Sequence, residues 1–173
     1  MEISTINQLI AAGSGLVGAF IGAAISGWVN HRISKENHNR EVESFKAGFV
    51  SEVQSLQTII AERDYLNAFQ KFSEHPDILA GEKVHYEILI PDNYARFYNA
   101  NLNKIGLMGP KLSSKLIQYH QLLQAIVQDL QPESAPMKHG FDKDMLDETI
   151  RIFSMALATG DEILKENIIN TDR

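Results

Sequence analysis

A chain of 173 residues has room for one domain plus an anchoring segment. It contains no cysteine, which excludes disulfides and thiolate metal sites, and its formal net charge of −6 argues against a general nucleic-acid binder. All 16 Lys and Arg follow residue 30, and from Met1 to Asn30 the only charged side chain is Glu2.

The first predicted element is a membrane span. Leu9 to Val29 is a run of 21 residues without a charge. At about 1.5 Å per residue it covers roughly 30 Å, the thickness of a bilayer's hydrocarbon core. A polar tail (Glu2, Ser4, Thr5, Asn7, Gln8) precedes it, and Trp28, Asn30, His31 and Arg32 close it as interfacial residues do. A cleavable signal peptide would carry Lys or Arg before the apolar run, and none is present. Arg32, Lys35, Arg40 and Lys46 lie on the C-terminal side alone. The positive-inside rule therefore predicts a single-pass inner-membrane protein with its N-terminus outside and its C-terminal domain cytoplasmic.

The span is rich in small residues: five of the 11 glycines fall between 13 and 27. On a helix, Ser14, Gly18, Gly22 and Ser26 recur every fourth residue, and Ala11, Gly15, Ala19, Ala23 and Gly27 form the adjacent ridge. Leu16, Val17, Phe20, Ile21 and Trp28 gather opposite. Small residues at this spacing let two backbones approach closely in lipid. The residues Ser14, Gly15, Gly18, Ala19, Gly22, Ala23 and Ser26 are thus the expected homo-oligomerisation face, with membrane lipid on the other side.

Beyond the span, "HRISKENHNREVES" is polar all round, and Val42, Phe45, Phe49, Val53, Leu56 and Ile60 then step by three or four. With Leu66, Phe69 and Phe72 they predict one juxtamembrane amphipathic helix over 31–72, leaving 73–173 as a cytoplasmic helical bundle. "SEHPDILAGEKV" reads as a loop, and "VHYEILI" is β-prone but short and alone. A helix capped by Asp92 is expected to run to about Lys104, ended by Gly106. Another starts at Gly109-Pro110, with Leu112, Leu116, Tyr119, Leu123, Ile126 and Leu130 on its face. After the loop "PESAPMKHG" a last helical stretch carries Leu146, Ile150, Phe153, Leu157, Leu164 and Ile168, with Thr159-Gly160-Asp161-Glu162 as an interruption. The predicted fold class is all-α.

No phosphate-binding loop, HExxH, GxSxG or EF-hand loop occurs, so the chain is not expected to be an enzyme, and no cofactor is implied. The six histidines are scattered; His120, near an apolar helix face, reads as a partly buried side chain. Asp142, Asp144, Asp147 and Glu148 read as a helix start rather than a metal site. One stretch stands out. Residues 93–128 contain no acid but carry Arg96, Lys104, Lys111 and Lys115 among Tyr94, Phe97, Tyr98 and Tyr119. Two readings stay open: a helical hairpin with aromatics inside and lysines in solvent, or a site for an anionic small molecule or an acidic protein partner. In the second, Arg96 clamps the anion, Lys111 and Lys115 add charge beside a helix N-terminus, and Tyr94 or Tyr98 stacks.

Within that stretch, "FYNANLNKIGLMGPKLSSKLIQYHQLL" resembles a pattern in small uncharacterised bacterial single-span membrane proteins: an aromatic-rich helix, Asn, Ile-Gly-Leu, then a helix with Tyr near its end. The resemblance implies a cytoplasmic helical hairpin behind one membrane helix and carries no activity. Some bacterial proteins of this build are antiphage effectors that perturb the membrane, an analogy of architecture alone. Two functions follow as expectations: a self-associating single-span protein presenting a cytoplasmic interaction or sensor domain, or a ligand-gated membrane-perturbing effector. A membrane-tethered enzyme ranks behind both.

Overall fold

The computed structural model describes the backbone of residues 3–86, 88, 90–91 and 93–171, and the side chains of 21–86, 88, 90–91 and 93–166. The fold is all-α, and among the described residues no strand forms. The elements are α1 (Ile3–Glu62), α2 (Tyr65–Ser73), α3 (Pro76–Leu79), α4 (Arg96–Ala100), a 3-10 helix (Leu102–Met108), α5 (Gly109–Asp129), α6 (Ala135–His139) and α7 (Lys143–Thr171). The chain divides into two units, Met1–Glu43 and Ser44–Arg173.

The first unit is helix throughout its described length. Every side chain from 21 to 40 is exposed, including Ile21, Ile25, Trp28, Val29 and Ile33. Local pairs decorate it: the Arg32 guanidinium lies 5.8 Å from the Trp28 ring centre, and Arg40 donates to Glu36 one turn earlier. Among the described residues no helix is long and apolar enough to cross a membrane. The stretch 9–29 expected to do so lies, for residues 9–20, outside the described side chains. So do Ser14, Gly15, Gly18 and Ala19 of the small-residue face, while Gly22, Ala23 and Ser26 are exposed.

The second unit carries the core. The periodic apolar face of α1 delivers Phe49, Val53, Leu56 and Ile60 inward, where they meet Leu116, Tyr119, Leu123 and Ile126 from α5 and Leu146, Phe153 and Ile163 from α7. Each such side chain contributes roughly 1.5–3 kcal/mol through burial. Helices α5 and α7 run antiparallel, since Lys115 near the start of α5 meets Glu166 near the end of α7 and Asp129 at the other end lies near Glu148. Helix α2 packs on α7 through Phe69, whose ring stands 6.2 Å from Phe153. The β-prone run near residue 84 supplies one bridge, in which Val84 and Phe141 exchange both backbone hydrogen bonds.

Three helix expectations are corrected. The helix predicted over 31–72 breaks at Arg63-Asp64, because Asp64 takes a left-handed conformation (φ 53°, ψ 33°) and accepts a 2.6 Å hydrogen bond from Asn67 Nδ2. Aspartate tolerates that region better than most residues do. The helix predicted from Asp92 to Lys104 is shorter: α4 ends at Ala100, where the Asn101 side chain donates to the Phe97 carbonyl and the chain tightens into the 3-10 helix. Asp92 itself lies outside the described residues. The expected interruption at 159–162 is absent, and α7 runs unbroken through it. Gly160 serves close packing instead: a Cβ there would stand 1.8 Å from Gln57 Nε2 and 2.9 Å from the Tyr119 ring. Gln57 donates across this contact to the Leu157 carbonyl.

Gly48 is the tighter notch. A Cβ on it would lie 2.1 Å from the tip of the Phe97 ring, which is wedged against Phe49 at a centroid distance of 5.1 Å. Alanine is the better helix former by about 1 kcal/mol, yet overpacking costs about 1–3 kcal/mol. Gly48→Ala is therefore expected to lower the melting temperature by several degrees. Gly106→Ala, with nothing within 4 Å of the added carbon, should leave it nearly unchanged. Equal melting curves for the two variants would show that the notch is not filled as described.

Candidate functional site

The structure sorts the five sequence-predicted ligand residues into three places. Tyr94 and Arg96 line a pocket, Tyr98 goes into the core, and Lys111 and Lys115 join an ion-pair ladder with α7. They do not form one site.

The lysine ladder explains the acid-free stretch. Lys111 Nζ lies 2.7 Å from Glu166, and Lys115 Nζ lies 2.7 Å from Glu162 and 2.8 Å from Glu166. The hydrogen bonds that Lys115 donates to Glu162 and Glu166 raise its pKa, and those that Glu166 accepts from Lys111 and Lys115 lower that of Glu166. The carboxylates that meet Lys111 and Lys115 are supplied by α7. At 2.7–2.8 Å these ion pairs join α5 to α7.

Tyr98 belongs to a buried cluster centred on Glu52. The Glu52 carboxylate accepts the backbone N–H of Phe97 (2.6 Å) and of Tyr98 (2.8 Å), the donors left free in the first turn of α4. The Tyr98 ring stacks on the imidazole of His120 at 3.8 Å and 20°. His120 is 3% exposed, and among the described residues neither ring nitrogen has a hydrogen-bond partner; Nε2 stands 3.9 Å from Glu52 Oε2. Burial pushes its pKa down to about 4, so the imidazole is neutral at neutral pH. Tyr94 bridges this cluster to the pocket, its hydroxyl donating to Gln124 Oε1 at 3.2 Å and reaching the His120 carbonyl at 3.5 Å. Burial first, then Tyr98 and Glu52, raise its pKa to about 12.

The pocket has a volume of about 410 Å³, within the range of small-molecule sites. Its apolar walls are Leu56, Ile59 and Ile60 of α1, Leu123, Ile126 and Val127 of α5, and Phe153 of α7. Its polar members are Arg63, Tyr65, Asn93, Tyr94 and Arg96. The break at Arg63-Asp64 places Arg63 and Tyr65 on it, where Arg63 donates to the Tyr65 hydroxyl at 3.0 Å. Arg96, exposed at the start of α4, has no hydrogen-bond or ion-pair partner among the described residues. The described lining holds no carboxylate. Its chemistry suits binding an apolar body with an acceptor-rich end.

A third polar group sits apart. Ser73, at the end of α2, donates to Asp147 and accepts from Lys143 Nζ at 3.0 Å, while Lys143 also pairs with Asp147. Lys143, then Ser73, hold the Asp147 carboxyl below its usual range. The three side chains thereby tie the end of α2 to the start of α7. Asp142 accepts the Met145 N–H at the start of α7, as expected of an acid at a helix start.

Sequence reading missed Glu52, Arg63 and Tyr65. A signal for Glu52 was present: it interrupts the inward face between Phe49 and Leu56, where a charge demands a partner. Arg63 and Tyr65 had none, because they become neighbours of Tyr94 and Arg96 only through the helix break. Compared with protein-family models, with curated proteins and with solved structures, the chain matches none.

The buried imidazole has a measurable consequence. In the unfolded chain His120 titrates near its ordinary 6.5, and in the folded chain near 4. Between those values the unfolded state binds a proton that the folded state refuses, so stability falls as pH falls. At about 1.4 kcal/mol per unit the loss is roughly 3 kcal/mol. Urea unfolding of the wild type should thus lose roughly that much more between pH 7 and pH 4 than unfolding of His120→Phe, which keeps a ring against Tyr98. Parallel profiles would refute the buried neutral histidine.

Proposed function

We propose that this chain is a single-span membrane protein that self-associates through the small-residue face of its first helix and presents residues 44–173 as a cytoplasmic helical sensor domain. The observation that carries the proposal is the row of large apolar side chains, Ile21, Ile25, Trp28, Val29 and Ile33, standing exposed on the helix of the first unit. A helix with no core of its own leaves such surface for lipid or for another helix. The uncharged run 9–29 and the Lys and Arg that follow it supply span length and orientation, with the N-terminus outside the inner membrane. The sensor half rests on the pocket with Tyr94 and Arg96 in its lining. Its role is binding rather than catalysis. The ligand-gated alternative, in which the bound molecule alters a membrane oligomer, uses the same pocket and predicts leakage of the host membrane on expression.

Topology and assembly are tested together. A reporter active only in the cytoplasm should work when fused after Arg173, and one active only outside should not; the reverse pattern, or a chain that fractionates away from membranes, refutes the anchor. For assembly, Gly22 is informative because a Cβ on it meets nothing within 4 Å in the single chain. Gly22→Ile therefore disturbs only a partner helix, and cross-linking in membranes should drop several-fold, with Phe20→Leu behaving like the parent. Equal yields in all three would move self-association off this face.

A further inference from the structure

The pocket specifies the class of its ligand. We infer that it takes one free single-chain amphiphile with an anionic oxygen head, the alkyl chain inside and the head held by Arg63 and Arg96. This deepens the sensor half of the function proposed above and rests on it.

Four observations converge. The deep walls come from aliphatic and aromatic side chains of three helices, among them Leu56, Leu123, Ile126 and Phe153, so the body of the ligand is apolar. Among the described lining residues the two charged groups are guanidiniums, with no carboxylate beside them. Arg63 spends one N–H on the Tyr65 hydroxyl, and Arg96 has no partner among the described residues, so donors remain for an acceptor-rich head. A guanidinium fork matches a carboxylate or phosphate in two parallel hydrogen bonds, which a neutral alcohol cannot reproduce. The volume of about 410 Å³ lies near the lower end for small-molecule sites and favours one chain over the two of a bilayer phospholipid. The cationic end is also distinct from the lysine ladder, where Lys111 and Lys115 already meet Glu162 and Glu166.

The test uses the full chain in phosphatidylcholine nanodiscs, with empty nanodiscs subtracted, and measures equilibrium binding of labelled decanoate, decyl phosphate, decanol and inorganic phosphate. Decanoate and decyl phosphate should bind saturably at one per chain, and their ratio tells a carboxylate from a phosphate head. Decanol should bind at least tenfold more weakly, and inorganic phosphate should not saturate. Arg96→Gln and Arg63→Gln should each weaken decanoate at least fivefold with the melting temperature unchanged. Ile59→Trp, at the half-exposed mouth of the pocket, should block it, and should leave folding intact even if changes deeper in the wall do not. Decanol binding as tightly as decanoate would reduce the site to an apolar void. Saturable phosphate binding insensitive to Ile59→Trp would make it a bare anion site. Absence of saturable binding by either anionic amphiphile overturns the inference outright. A chain that stays in the nanodisc while refusing both amphiphiles loses the ligand class and keeps the anchor; a chain that binds decanoate but leaves the bilayer loses the anchor and keeps the pocket.

Discussion

The second unit depends on one carboxylate. Glu52 sits on the inward face of α1 and accepts two adjacent backbone amides at the start of α4. A charge with an 11% exposed side chain survives there because it meets two donors that would otherwise be orphaned in the first turn of a helix. That contact fixes the five residues of α4, too few to be stable alone, against the long helix. Fixing α4 drives Phe97 into the notch at Gly48 and lays Tyr98 on His120. It also sets Tyr94 and Arg96, just ahead of those amides, along the pocket. The site is therefore downstream of a buried polar contact rather than of the apolar core itself.

The same cluster contains a buried group that is unsatisfied among the described residues. His120 is buried with both nitrogens unpaired, stacked on one aromatic ring and edge-on to another, Tyr119 at 5.3 Å. A neutral imidazole can accept this because its cost is that of one unpaired donor and acceptor, on the order of 1–3 kcal/mol for each. Protonation would add the desolvation of a full charge, and the drop of its pKa to about 4 expresses that. The Glu52 carboxylate stands 3.9 Å away and is held by the two amides, and burial alone sets the direction of the shift.

How much of this was legible in the sequence divides along one physical line. Periodicity marked the helices and their buried faces, because Phe49, Val53, Leu116, Leu123 and Phe153 must face inward wherever the helices go. Where helices end was less legible. Asp64 stops α1 by entering left-handed space, Asn101 ends α4 by bonding its own backbone, and neither residue type forbids a helix. Gly160 shows the converse, a residue read as a breaker that instead admits Gln57 and Tyr119. The charge pattern misled for a related reason. An acid-free stretch is a local property of sequence, whereas neutralisation is a tertiary one, and Glu162 and Glu166 arrive from about 50 residues away. Tyr94 and Arg96 were found because they are neighbours in the chain; Arg63 was not, because only the fold makes it their neighbour.

The two units handle apolar surface in opposite ways, and that contrast bears on the proposed function. In the second, large side chains converge from α1, α5 and α7 and line a pocket. In the first there is only a helix, so Ile21, Ile25 and Trp28 on one side and Gly22, Ala23 and Ser26 on the other are exposed alike. A single helix cannot bury either face against itself. Large aliphatic side chains are satisfied by lipid as well as by protein, whereas a small-residue face gains most from a second backbone drawn close. Self-association and membrane insertion, as proposed, are then two answers to one deficit. They also predict opposite responses to bulk, since an added branched side chain costs the helix pair its close approach while giving the lipid only more of what it already solvates.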